Sequence, residues 1–246
     1  MPTTFQAIYL GKSTLVLDPT EGNSNNEGYK AFENQTFGSV GSPLYGSKVS
    51  ITDGNFAGGS AANALETNNS VENATMTTTI GGVSQTLIYD GNVLYNITLT
   101  YADGTTAAVT GVIAQTTTGE LFLLPEITGS TDGDTARYEA KPIVSITTGQ
   151  AVTYNNVNLG ADRIVTAFDD GFIDGTTGND LIDASYVEPI TSGSDRVDNG
   201  DAALPSAGGT VTSANSNDAK IRAGAGNDTV LSGLGADWVD AGAGND

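Results

Sequence analysis

The chain has 246 residues, 38% hydrophobic and 15% charged, with nine Lys plus Arg against 29 Asp plus Glu and a formal net charge of −20. That apolar content supports a core and argues against disorder over the whole length, while so strong an acidic excess is repelled by phosphate backbones and anionic membranes and excludes nucleic acid as a direct partner. The absence of Cys and His removes thiolate and imidazole nucleophiles, their general bases and the usual zinc sites.

Along the chain, Phe5, Ile8, Leu10, Leu15 and Leu17 alternate loosely and predict one or two strands over 4–17. The opening MPTTFQAIYLGKSTLVLDP has no basic region followed by a continuous apolar one and does not read as a signal peptide. No apolar run approaches the ~20 residues of a membrane span, so membrane insertion is not expected. Asp18-Pro19-Thr20-Glu21-Gly22-Asn23 breaks the first pattern. The Asn-, Gly- and Ser-rich stretch 23–74 predicts short helices near 27–34 and 60–66.

Periodicity is clearest over 75–124. Val93, Tyr95, Ile97, Leu99 and Tyr101 share one face of a strand, with Asn96, Thr98 and Thr100 opposite. Gly81-Gly82, Asp90-Gly91 and Asp103-Gly104 punctuate it, and such pairs supply the positive φ of tight hairpins. The expected strands are 75–80, 83–89, 93–101, 105–114 and 120–124, then 143–146 and 151–157. This is the spacing of an all-β, antiparallel sandwich or barrel.

Near residue 160 the composition changes. Residues 1–161 hold eight Glu and six Asp, whereas 162–246 hold 14 Asp and a single Glu, Glu188. Solubility does not favour Asp over Glu, but short carboxylates among glycines suit a turn that wraps a hard cation. We therefore divide the chain into an N-terminal all-β domain, 1–160, and an Asp/Gly-rich segment, 161–246.

That segment is repetitive. Ala223-Gly-Ala-Gly-Asn-Asp-Thr-Val-Leu231 runs directly into Ser232-Gly-Leu-Gly-Ala-Asp-Trp-Val-Asp240, and Ala241-Gly-Ala-Gly-Asn-Asp246 begins a third copy. A single copy, Gly175-Thr-Thr-Gly-Asn-Asp-Leu-Ile-Asp183, stands upstream. Asp180 and Asp228 are not a whole number of nonapeptides apart, which predicts an insertion at about 184–213. The third copy stops before its apolar position, so the sequence reads as a fragment ending inside a repeat.

These copies resemble the nonapeptide of the repeats-in-toxin (RTX) family, G-G-x-G-x-D-x-U-x with U a large apolar residue. They keep glycine at position four, aspartate at six and the apolar residue at eight. They depart at position one, with Ala223, Ser232 and Ala241, and the upstream copy has Thr176 at position two. The resemblance implies a parallel β-roll in which each nonapeptide is half a coil and Ca²⁺ lies between loops 18 residues apart. The candidate ligand positions are Gly175, Gly178, Asp180, Gly224, Gly226, Asp228, Gly233, Gly235, Asp237, Gly242, Gly244 and Asp246. Asp228 and Asp246 share one side. Asp237 faces Ala219, with Asp218 as the substitute beside it. The resemblance also implies type I secretion. More loosely, the N-terminal opening resembles secreted alphaproteobacterial proteins that can carry a Hint autoprocessing domain.

Other acids read more simply. Asp18, Glu21 and Asn23 either bind calcium or cap a turn. Asp195, Asp198 and Asp201 read as a solvated loop, and Asp169, Asp170 and Asp174 as a surface turn. Trp238 reads as packing rather than a carbohydrate platform. No local pair of carboxylates stands out for glycoside hydrolysis. The expected role is that of a secreted, non-enzymatic structural protein of matrix, adhesion or filament type. Its expected partners are calcium, further copies of itself in a homo-oligomer or filament, and a cell surface or glycan. The alternatives are an extracellular polysaccharide hydrolase and the carrier portion of an autoprocessed precursor.

Overall fold

The computed structural model describes residues 4–20, 25–53, 74–127, 130–154, 168, 171–188, 195–198 and 217–246. Eight strands form the first unit: β1 (Thr4–Lys12), β2 (Thr36–Gly38), β3 (Lys48–Asp53), β4 (Thr75–Ile80), β5 (Val83–Tyr101), β6 (Thr106–Thr116), β7 (Glu120–Leu124) and β8 (Ile143–Thr153). They make one antiparallel sheet in the order β2-β8-β5-β4-β3-β1-β7-β6, and β6 pairs back onto β5. The ring β5-β4-β3-β1-β7-β6 therefore closes on itself, which removes the exposed strand edges an open sheet would present. The fold is all-β, as the turn spacing predicts.

Closure depends on β5. Its first residues pair with β4, and from Leu94 to Tyr101 β8 takes over, while β6 runs along its length from Tyr89. Asp90-Gly91, expected as a hairpin turn, is instead a bulge inside one continuous strand. The cause is a packing contact. The Asn26 side-chain oxygen accepts a bond from the Asn92 N–H at 3.0 Å, and a Cβ on Gly91 would stand 2.4 Å from that oxygen. The glycine serves close approach rather than reversal. Gly81 and Gly82, with φ of 58° and 79°, do form the expected two-residue turn.

The bulge separates two apolar clusters. Phe5, Ile51, Met76, Leu87, Tyr89, Ala114 and Phe122 belong to one, and every strand of the ring contributes to it. Val93, Tyr95, Ile97, Leu99, Ile113, Leu121, Leu123 and Ile146 form the other, together with Leu17, Phe32, Leu44 and Tyr138. All five residues of β7 are buried, as a strand covered on both faces requires. The second cluster is roofed by β8, by 3-10 turns at Glu27–Phe32 and Leu44–Ser47, and by the short helix α1 (Asp134–Tyr138). The expected helix near 27–34 is thus a 3-10 turn, while the one near 60–66 lies outside the described residues. The two strands expected over 143–157 are one, running through Gly149. Phe168, past the composition shift, packs edge-on against Tyr138 with ring centroids 5.4 Å apart.

The second unit has five short strands: β9 (Ile173–Asp174), β10 (Leu181–Ile182), β11 (Lys220–Arg222), β12 (Thr229–Val230) and β13 (Trp238–Asp240). They form two small parallel sheets, β13-β11-β9 and β10-β12. The chain alternates between the sheets, and Ile173, Ile182, Ile221 and Ala223 meet in a thin interior with Val230 packed on it.

Candidate metal centre

Between consecutive strands of the roll run loops of small residues. On one side Asp180, Asp228 and Asp246 form a column. The Asp180 N–H donates to Asp228 Oδ1 at 2.8 Å, and the Asp228 N–H donates to Asp246 Oδ1 at 2.9 Å. The first pair is 48 residues apart and the second 18, yet the contact is the same. Strand register agrees: Ile182 pairs with Val230, and Ile221 with both Ile173 and Val239. The upstream copy is therefore one coil of the same roll, and the insertion lies in the loop between β10 and β11.

A second column stands beside the aspartates. The Asn227 N–H donates to Asn179 Oδ1 at 2.7 Å and the Asn245 N–H to Asn227 Oδ1 at 3.0 Å. Position five thus receives a bond from the next coil, whereas position six receives one from the coil before. The sequence reading overlooked this column, although Asn179, Asn227 and Asn245 repeat in step with the aspartates.

Glycine at position four lets the coils stack. A Cβ on Gly226 would lie 2.3 Å from the Gly178 carbonyl oxygen, and one on Gly244 only 1.5 Å from that of Gly226. Gly224 and Gly242 approach the preceding coil in the same way at position two. Gly175 abuts the Ala223 carbonyl. The loops consequently present stacked backbone oxygens alongside the carboxylates.

The opposite side is built from less regular parts. The Ala219 N–H donates to Asp237 Oδ1 at 2.9 Å, and the Ala236 N–H to Asp218 Oδ1 at 2.8 Å. Gly233 and Gly235 sit against the Asp198 carboxylate and the Asn217 carbonyl. Asp198 accepts the Leu234 N–H at 3.0 Å. Asp195 is buried, and its N–H donates to Glu188 Oε2 at 3.0 Å. The solvated loop expected at 195–201 is thereby corrected for Asp195 and Asp198, which are tied into the roll; Asp201, Asp169, Asp170, Glu21 and Asn23 lie outside the described residues. Asp174 is a strand residue whose carboxylate meets Arg222 Nε at 2.5 Å and Nη2 at 2.8 Å. That guanidinium lies 4.0 Å above the Phe172 ring, and Phe172 in turn meets Trp238 edge-on.

Asp228 decides what this arrangement can do. It is 4% exposed, and its Oδ2 is buried without a hydrogen-bond partner. A desolvated carboxylate oxygen in that position requires a cation or a proton. Asp180 differs, because the Thr176 N–H at 2.6 Å and hydroxyl at 2.8 Å already bond its carboxylate. Carboxylates also press on Tyr186, whose hydroxyl is pushed up to about 12 by burial and then by Asp180, Glu188, Asp174 and Asp228.

With this geometry in view, the comparison with known families is specific. Residues 213–246 match the family model of the RTX calcium-binding nonapeptide repeat (4 copies). The match takes in 214–222, the half-coil that carries Ala219 at its sixth position and supplies β11. No curated protein and no solved structure matches the chain. Among the described residues no helix is long and apolar enough to cross a membrane.

Glu126, Asp132 and Asp134 also gather, with ligand atoms within 4.8 Å of one another. Asp134 is committed, accepting the Thr110 N–H at 2.7 Å and Arg137 Nη1 at 2.5 Å. It clamps α1 onto β6.

Proposed function

We propose that this is an exported protein whose C-terminal roll is folded by calcium and whose role is structural, in matrix, adhesion or filament, rather than catalytic. The buried, unpartnered Oδ2 of Asp228 carries the reading. Ca²⁺ takes 6–8 oxygens at 2.3–2.6 Å, more than one loop offers. On one side Asp180, Asp228 and Asp246 would hold it together with backbone oxygens of loops 175–180, 223–228 and 241–246. On the other, Asp237 and Asp218 would do so with loops 217–219 and 232–237. The bound ion supplies the positive charge that lets these loops pack.

Export follows from the same chemistry. Fourteen aspartates over 162–246 repel one another until divalent ions neutralise them. The roll would stay open in a calcium-poor cytosol and close outside the cell. The non-catalytic reading is supported by two buried carboxylates of the first unit, Asp134 and Glu120, which are consumed by structural bonds. Electron microscopy and sedimentation of the whole chain, with calcium and with chelator, test the role. Calcium-dependent closure of the roll with self-association, or with binding to glycan or cell surface, supports it. A monomer that binds neither, or turnover of a polysaccharide, refutes it.

A further inference from the structure

In β9 the Gly175 N–H donates to the Arg222 carbonyl at 2.8 Å. Backbone groups alternate sides along a strand, so residues 173 and 175 face β11 and Asp174 turns its N–H and C=O the other way. Among the described residues β9 ends its sheet, and these two groups lie on its outer edge, of the kind that templates strand addition. Both are occupied. Glu188 Oε1 accepts the Asp174 N–H, and the Tyr186 hydroxyl donates to the Asp174 carbonyl at 3.1 Å.

A tight turn delivers these side chains. The Asp183 carbonyl accepts the Tyr186 N–H at 2.9 Å, and Asp183 Oδ1 accepts the Ser185 N–H at 2.8 Å. The other Glu188 oxygen holds the Asp195 N–H at 3.0 Å, while Val197 enters the roll interior. Glu188 is 6% exposed, and it is the one Glu in a segment that otherwise uses Asp. Reach explains the exception: spanning from the edge of β9 to residue 195 takes the extra methylene.

We infer that residues 184–188, with 195–198, form the end cap of the roll, with Glu188 and Tyr186 sealing the edge of β9 against strand addition by a second copy of this chain. Self-association is thereby kept off this edge and confined to other surfaces. Repeat arrays need such an atypical terminal unit, because a terminal coil lacks a repeat on its outer side to satisfy its outer groups. The inference rests on the calcium-folded roll of the preceding section. Every arm is therefore read in millimolar calcium, and protease resistance of 217–246 is scored separately.

The test uses the whole chain, comparing wild type with Glu188→Ala, Glu188→Gln, Glu188→Asp and the pair Tyr186→Phe/Glu188→Ala. Amide exchange at Asp174 should quicken roughly ten- to a hundred-fold in Glu188→Ala, the loss of one bond to a charged group. Glu188→Gln keeps an acceptor at full reach and should retain most of the protection, whereas Glu188→Asp should lose it. The double variant should sediment as larger species than wild type at equal concentration. Equal Asp174 exchange in wild type and Glu188→Ala overturns the cap. An opened Asp174 amide without any change in sedimentation overturns the edge-blocking role. A roll that stays protease-sensitive in calcium refutes the calcium reading, while a slow Asp174 amide in that same sample still supports the cap.

Discussion

Glu120 in the closed sheet and Asp228 in the roll are both buried carboxylates, and they are buried for different reasons. Glu120 accepts the Thr116 hydroxyl at 2.6 Å, is bonded by Thr118, and pairs with Lys12 at 3.0 Å. Its needs are met from within the chain. Asp228 accepts one backbone N–H and leaves Oδ2 buried without a partner. The first unit has two apolar clusters on opposite faces of its closed six-stranded ring. The roll has one thin cluster, built from six buried residues with Tyr186 and Val230 against it. Where burial is ample, a carboxylate is an internal strut. Where burial is scarce, it is left for an ion from outside, and stability becomes a function of the medium.

The largest effect expected within this contrast is in the sheet. Phe122 is fully buried and shared by the whole ring, so Phe122→Ala should cost about 3–5 kcal/mol. Chemical denaturation followed by circular dichroism should give the same loss in calcium and in chelator. A calcium-dependent loss would mean that the two units do not hold themselves together separately. Next comes calcium itself, worth ~2.7 kcal/mol to the roll at a hundred times its Kd. The chain has a single Trp, Trp238, and it lies in the roll. Its fluorescence and the protease resistance of 217–246 should therefore follow calcium, while the eight strands of the first unit remain resistant in chelator. Magnesium should not substitute, since it demands octahedral geometry and gives up water reluctantly. Indifference of the roll to calcium would collapse the comparison.

The repeats were readable because their cause is local. Gly226 and Gly244 must be glycine wherever the preceding coil touches, and Asp228 and Asp246 must be acidic wherever loops face, so each coil restates the rule. Alternation of Val93 to Tyr101 and the Gly81-Gly82 turn were readable for the same reason. What escaped depends on distant partners. Asp90-Gly91 has the composition of a hairpin and becomes a bulge because Asn26, 66 residues away, reaches its neighbour Asn92. Ring closure through Tyr89 and Thr116 leaves no mark on either strand. Glu188 stood out in composition as the lone Glu of 162–246, but its role appears only when residues 186–188 fold back on β9.

Within the roll, the two sides give a finer comparison. Asp228 stands between two coils, taking the Asp180 N–H and facing Asp246, whereas Asp198 holds the Leu234 N–H from an exposed loop. Asp228→Ala leaves the Asp180 amide unpaired at a cost of about 1–3 kcal/mol, and removes a proposed ligand as well. Asp198→Ala should cost less, because water replaces its bond. Calcium titrations read by Trp238 should show the larger loss of affinity in Asp228→Ala. Equal losses would move the principal ion site to the other side of the roll.

The smallest effect belongs to pH and sharpens the contrast at Glu120. Burial opposes its charge, but bonds from the Thr116 and Thr118 hydroxyls and the Lys12 ammonium outweigh it and hold the carboxyl down at about 2, against an ordinary 4.5. A folded-state value below the unfolded one means that the native state favours the ionised form. The stabilisation is complete above about pH 4.5 and is lost as pH falls toward about 2. Acid unfolding should be followed in chelator, so that the roll is open throughout and its aspartates drop out of the measurement. The wild-type sheet should then weaken over that window. Glu120→Gln, which keeps an acceptor for Thr116 but does not titrate, should start less stable near neutrality and show a flatter acid limb. Its curve should converge on the wild type only below about pH 2, where Glu120 becomes protonated in native as well as unfolded chains. Parallel curves for the two proteins would show that the strut assigned to Glu120 is not what links this sheet to pH.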